Sequence, residues 1–101
     1  MVKLIWAPKA IRDLDNILDY ISMDSEKYAS LVIKAIINLA EAIPIFPISG
    51  RIVLEYEDKY VREKLYKTYR IIYRTSNENE RIEILRVFHQ AQELGIKDIN
   101  K

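Results

Sequence analysis

The feature that most constrains this chain is a change of hydrophobic period across Pro44 to Gly50, a stretch holding two prolines and a glycine. Before it, apolar residues recur at intervals of three and four; after it, every segment favours strands. A chain with one helical half and one strand-forming half is expected to fold as α+β, with helices covering one face of an antiparallel sheet. From Pro8 to Met23, Ile11, Leu14, Ile17, Leu18 and Ile21 oppose Arg12, Asp13, Asp15, Asn16 and Asp19. That pattern predicts an amphipathic helix, and Pro8 suits its first turn, where a missing N–H costs nothing. Residues 2–6, Val-Lys-Leu-Ile-Trp, predict a short strand leading into it. Ser25 is the expected N-cap of a second helix, whose stripe of Tyr28, Leu31, Val32, Ala35, Ile36, Leu39 and Ile43 runs to Pro44.

Strands are predicted at Arg51–Glu55, Arg62–Tyr66, Tyr69–Thr75 and Arg81–Phe88, with the first of them weakly formed in one variant. Ser76 to Glu80, with Asn77 and Asn79, predicts a hairpin turn, and Lys67-Thr68 a tighter one. The expected fold is α+β: an N-terminal strand, a two-helix antiparallel hairpin, then a mainly antiparallel sheet of three to four strands. At 101 residues the chain fits a single domain, 1–101, in which 95–101 is expected to be a flexible tail.

The chain has no cysteine, which excludes disulfides, thiolate metal sites and cysteine nucleophiles together. No uninterrupted apolar run reaches the roughly 20 residues of a membrane span, and no signal-type stretch follows Lys9 and Arg12. The expectation is a cytoplasmic protein with no membrane contact, no metal and no cofactor. The net charge of +1 conceals an asymmetry. Residues 12–41 carry three basic residues against six acids, net −3, whereas residues 59–75 carry six (Lys59, Arg62, Lys64, Lys67, Arg70, Arg74) against Glu63, net +5. A basic stripe in a near-neutral chain suits a surface that meets phosphate or an acidic protein, and equally a solvated strand face.

Several short motifs occur in a telling order: Trp6-Ala7, Asp13-Leu14-x-x-Ile17-x-x-Tyr20-Ile21, Gly50-Arg51, Arg62-Glu63, Tyr69-Arg70-Ile71-Ile72-Tyr73-Arg74 and Ile84-Leu85-Arg86-Val87-Phe88-His89. Together, over about residues 3–94, they resemble the toxins of the RelE/ParE superfamily, which includes plasmid stabilisation proteins. The resemblance implies a type II toxin that arrests growth, a cognate antitoxin that wraps it, and a higher-order complex of the two. It implies one of two targets: DNA gyrase, poisoned by ParE-like members without a catalytic step, or the ribosome, on which RelE-like members cut mRNA. An inactive module that only binds antitoxin is a third reading.

Cleavage of RNA requires a base for the 2′-hydroxyl, positive charge on the phosphate and an acid for the leaving oxygen. Glu63 or Glu55 is the candidate base, and Arg62, Arg70 and Arg74 are candidate phosphate ligands. His89, the single histidine, is the candidate acid because an ordinary imidazole titrates near neutrality. By position Arg70 and His89 resemble the central-strand arginine and last-strand acid of histidine-containing ribonuclease members. If the chain is no enzyme, Arg51, Arg62, Lys64, Lys67, Arg74 and Arg86 are the candidate target-binding residues.

Each has a plainer reading. Arg70 and Arg74 share a strand parity, with Arg62 on a neighbouring strand, so they form either one basic cluster or cross-strand ion pairs with Glu55, Glu63 or Glu83. A straight strand sets Arg86 and His89 on opposite faces. Tyr69, Ile71 and Tyr73 share one face and are expected to pack in the core rather than stack on bases, and Trp6 likewise. Ribonuclease members often carry a tyrosine at the end of the last strand, where this chain has Gln90. That departure favours the gyrase reading.

Overall fold

A computed structural model describes residues 2–56, 58–76 and 80–90. Strand β1 (Lys3–Trp6) leads into helices α1 (Pro8–Ser22) and α2 (Glu26–Ala42), a single 3-10 turn (Ile43–Ile45), and then β2 (Arg51–Ile52), β3 (Val61–Tyr66), β4 (Tyr69–Thr75) and β5 (Arg81–His89). The sheet has five strands in the order β1-β5-β4-β3-β2. Among the described residues its one parallel pair, β1 with β5, joins the first strand to the last, so the sheet is mixed and one strand larger than the expected upper count.

The helical hairpin forms where the sequence predicts. Pro8 opens α1, and the Ser25 hydroxyl accepts the Tyr28 N–H at 3.1 Å, satisfying one of the free donors at the start of α2. Pro44 ends α2 by converting its last turn into the 3-10 turn. From Glu26 to Ile45 the mean hydropathy is 1.5, so by length and composition this stretch is apolar enough to span a membrane. Lys27, Lys34 and Glu41 interrupt the apolar run without lowering the average far. In the fold, Ala29, Val32, Ile36 and Ala40 from this stretch are buried, and the last three pack with Ile71, Tyr73, Ile82, Ile84 and Val87 of the sheet.

A second, smaller core of Val53, Val61, Ile72, Leu85 and Phe88 lies on the sheet face away from the helices. It explains why β2 stops after two residues instead of running from Arg51 to Glu55. Burial of Val53 in this cluster turns the chain inward, and Leu54 and Glu55 become part of a turn closed by Tyr56 N–H donating to the Val53 carbonyl. A bulge in β5 beside Ile72/Tyr73 serves both cores at once. Ile84 faces the helices, Leu85 the second core, and from Arg86 onward the strand resumes regular alternation.

The Lys67-Thr68 turn forms as expected, with Lys67 at φ 52°, in the left-handed region. Around the other hairpin, Ser76 Oγ accepts the N–H groups of Glu80 and Arg81, while Asn77 and Asn79, predicted to make that turn, lie outside the described residues. So does the tail at 95–101.

Candidate functional site

Pairing registers sort the predicted site residues between the two faces. Glu63 stands opposite Ile72 and Arg70 opposite Phe88, which puts Glu63, Arg70 and Arg74 on the face away from the helices. Arg62 stands opposite Tyr73 and Lys64 opposite Ile71, on the helix side. The basic cluster considered for Arg62, Arg70 and Arg74 is therefore divided by the sheet. Arg62 instead donates to the Gly50 carbonyl at 2.9 Å.

On the outer face Arg70 is the hub of an ion-pair network. Its Nε donates to Glu63 Oε1 at 2.6 Å, and its Nη1 and Nη2 clasp both oxygens of Glu55 at 2.8 and 3.0 Å. The second oxygen of Glu63 accepts from Arg51 Nε, also at 2.6 Å. Of the alternatives open from sequence, Arg70 takes the ion pairs. The Glu63 side chain is 3% exposed, so its charge is tolerated only because two guanidiniums meet it. The hydrogen bonds from Arg70 hold the Glu55 carboxyl below its ordinary range, against a smaller opposing effect of burial. The Glu55 and Glu63 carboxylates in turn raise the guanidinium pKa of Arg70, with burial again opposing.

Three more of the predicted cations, Arg74, Lys67 and Arg86, also have partners. Arg74 pairs with Asp58 at 3.1 Å, and Lys67 Nζ lies over the rings of Tyr66 and Tyr28. Arg86 stacks on Phe88 and reaches around the sheet edge to Asp13 of α1, which takes Arg86 Nε at 2.8 Å and the Val87 N–H at 2.9 Å. Strand β1 accompanies β5 only as far as Ile84, so Asp13 serves as the hydrogen-bond partner that a longer β1 would have supplied. Sequence reading placed Asp13 on the solvent face of α1 and overlooked Asp58; neither carries a local signal for a partner far along the chain.

His89 ends β5 opposite Tyr69, on the helix side, in edge contact with the Tyr69 ring at 5.5 Å between centroids. With Asn16, Ile17 and Tyr20 of α1 these two line an open pocket of about 480 Å³. Arg70 and Glu63 thus lie on the face opposite His89, so the three candidate catalytic residues do not converge, and Arg86 and His89 are likewise on opposite faces. Tyr73 and Ile71 are core residues, as expected from their shared face. Among the described residues no three His, Asp or Glu side chains gather to hold a metal ion. What the outer face offers chemically is recognition: a guanidinium presented edge-on, balanced by carboxylates, beside the exposed side chain of Leu54.

Comparison with known proteins agrees with this architecture. A family model for the ParE toxin of the type II toxin–antitoxin system parDE matches residues 4–94. Among solved structures, the chromosomal ParDE toxin–antitoxin system from P. aeruginosa matches with a TM-score of 0.72 and 24% identity, over 88% of this chain and 96% of that one. The RelBE2 toxin–antitoxin complex from Mycobacterium tuberculosis matches with a TM-score of 0.63 and 25% identity, over 91% and 97%. A conserved hypothetical protein from Helicobacter pylori matches with a TM-score of 0.52 and 22% identity, over 90% and 97%. No curated protein sequence matches significantly.

Proposed function

The chain belongs to the ParE toxin family of type II toxin–antitoxin systems, and on that premise we propose that it arrests growth by binding and inhibiting DNA gyrase, and that a cognate antitoxin neutralises it. The observation carrying this reading is the condition of the groups that RNA cleavage would need. Glu63 is buried between Arg51 and Arg70, and Arg70 has its donors on two carboxylates. A 2′-hydroxyl has no path to a carboxylate as enclosed as Glu63. Binding of a protein asks for no free base and no free phosphate ligand. The antitoxin partner draws support from the two structural neighbours described as toxin–antitoxin systems.

The ribosome-dependent ribonuclease remains the second reading on one observation: His89 lines an open pocket with Tyr20 and Tyr69. Cleavage there would run on the helix side, without Arg70 or Glu63. The two readings separate in parallel assays with the purified full chain. Inhibition of gyrase supercoiling with translated messages left intact supports the proposal. Message cutting that His89→Ala abolishes, with supercoiling unaffected, overturns it in favour of the ribonuclease. Normal growth on expression of folded protein would leave only an antitoxin-binding module.

A further inference from the structure

We propose that Glu55 is an internal latch over an anion site centred on Arg70, and that the ligand taking its place is a carboxylate side chain of a partner protein, flanked by an apolar residue. The inference rests on reading this face as protein-binding, and supplies the chemistry of what it binds. The two carboxylates on Arg70 are not equivalent. Glu63 grips Nε from within the sheet at 3% exposure, whereas the Glu55 side chain is 42% exposed and closes the outward edge formed by Nη1 and Nη2. Glu63 therefore sets the orientation of the guanidinium, and Glu55 occupies the two-point carboxylate position that this orientation creates. Glu55 sits in the turn after Val53, outside any strand, so its departure breaks no sheet pairing.

Charge and surroundings select the ligand. Arg51 and Arg70 against Glu63 leave one positive charge, which a single carboxylate neutralises. A nucleic-acid strand is recognised by a row of available cations. Here the neighbouring cations Arg74 and Arg86 are held by Asp58 and Asp13. The rim of the site carries Leu54, 90% exposed, which suits an apolar side chain beside the incoming acid. A site closed about nine-tenths of the time binds about tenfold more weakly than an open one, and that is the difference the latch is expected to make.

The test titrates the isotope-labelled full chain with acetyl-Leu-Glu-Leu-amide, its glutamine analogue and dimethyl phosphate, following side-chain N–H signals by NMR. Glu55→Ala is expected to bind the glutamate peptide about tenfold more tightly than the native chain, with shifts at Arg70 and Arg51. The glutamine peptide and dimethyl phosphate should each bind that variant at least about tenfold more weakly than the glutamate peptide does. Should Glu55→Ala fail to fold, the isosteric Glu55→Gln is expected to show a smaller gain of the same sign. Equal affinity for the native chain and the folded variants, shifts confined to other residues, or preference for dimethyl phosphate overturns the proposal. Gyrase takes no part, so failure here leaves the gyrase result standing, and a negative gyrase result does not alter the peptide titration.

Discussion

Arg70 on β4 donates from Nε to Glu63 Oε1 on β3 at 2.6 Å, and both side chains are nearly closed to solvent. Removing one partner leaves the other's charge poorly compensated in a medium where it is expensive. Since Arg70 keeps Glu55 and the exposed Arg51 is taken up by water, Glu63→Ala is expected to cost about 2–3 kcal/mol, within the range for hydrogen bonds to charged groups. Urea denaturation measures it, and a loss below about 1 kcal/mol would show that the pair adds little to stability.

The Glu55–Arg70 contact predicts a pH dependence. Hydrogen bonding from Arg70 depresses the Glu55 pKa in the folded chain below the ordinary 4.5, so the unfolded chain binds the proton more readily. The stabilisation is complete above that ordinary value and is lost as pH falls through the depressed one. Denaturation midpoints followed downward from about pH 6 should fall less steeply for Glu55→Gln than for the native chain. Identical slopes would contradict the assignment.

Asp13 ties α1 to the uncovered edge of β5 through Arg86 and the Val87 N–H. Asp13→Ala is expected to destabilise the fold by about 2–3 kcal/mol and Asp13→Asn by less, because an amide oxygen can still accept from Val87. The more specific measurement is hydrogen exchange, which should accelerate at the Val87 amide in Asp13→Ala.

Gly50 and Tyr73 are interlocked. The Tyr73 hydroxyl accepts the Gly50 N–H at 3.0 Å and donates to the Pro47 carbonyl at 2.8 Å, pinning the segment between the helices and β2 to the core. A Cβ on Gly50 would stand 2.6 Å from both the Glu63 carbonyl oxygen and the Tyr73 hydroxyl. Gly50→Ala should therefore cost about 1–3 kcal/mol by overpacking, and Tyr73→Phe about 1–3 kcal/mol through the two lost hydrogen bonds. If Gly50→Ala proves as stable as the native chain, the close approach is not a constraint.

If the chain acts by binding gyrase, His89→Ala should change supercoiling inhibition by less than about threefold, since removal of a general acid typically costs 10²–10⁴. A loss of about a hundredfold in message cutting, at unchanged thermal stability, would instead identify His89 as the proton donor.

Local chemistry made the helical half readable. The spacing from Ile11 to Ile21, the hydroxyl of Ser25 and the ring of Pro44 act within one or two turns of chain, and each element begins and ends close to where they indicate. Strand positions from Arg62 to Phe88 were legible for the same reason, through alternation and turn residues. The early end of β2 was not, because it depends on Val53 meeting Leu85 and Phe88, more than 30 residues away.

The candidate site was legible as a list of residue types but not as an arrangement. The sequence by itself determined an α+β chain with a basic strand region, and its ordered motifs from Trp6 to His89 pointed to the toxin family that the match over residues 4–94 identifies. Only the tertiary structure decided that Arg62 leaves the cluster, that Arg70 and Glu63 neutralise each other, that Asp13 holds Arg86, and that His89 looks out on the other side. The physical reason is that helix and turn preferences act between neighbours in the chain, whereas the state of a charge is set by what the register and one bulge bring within about 3 Å of it.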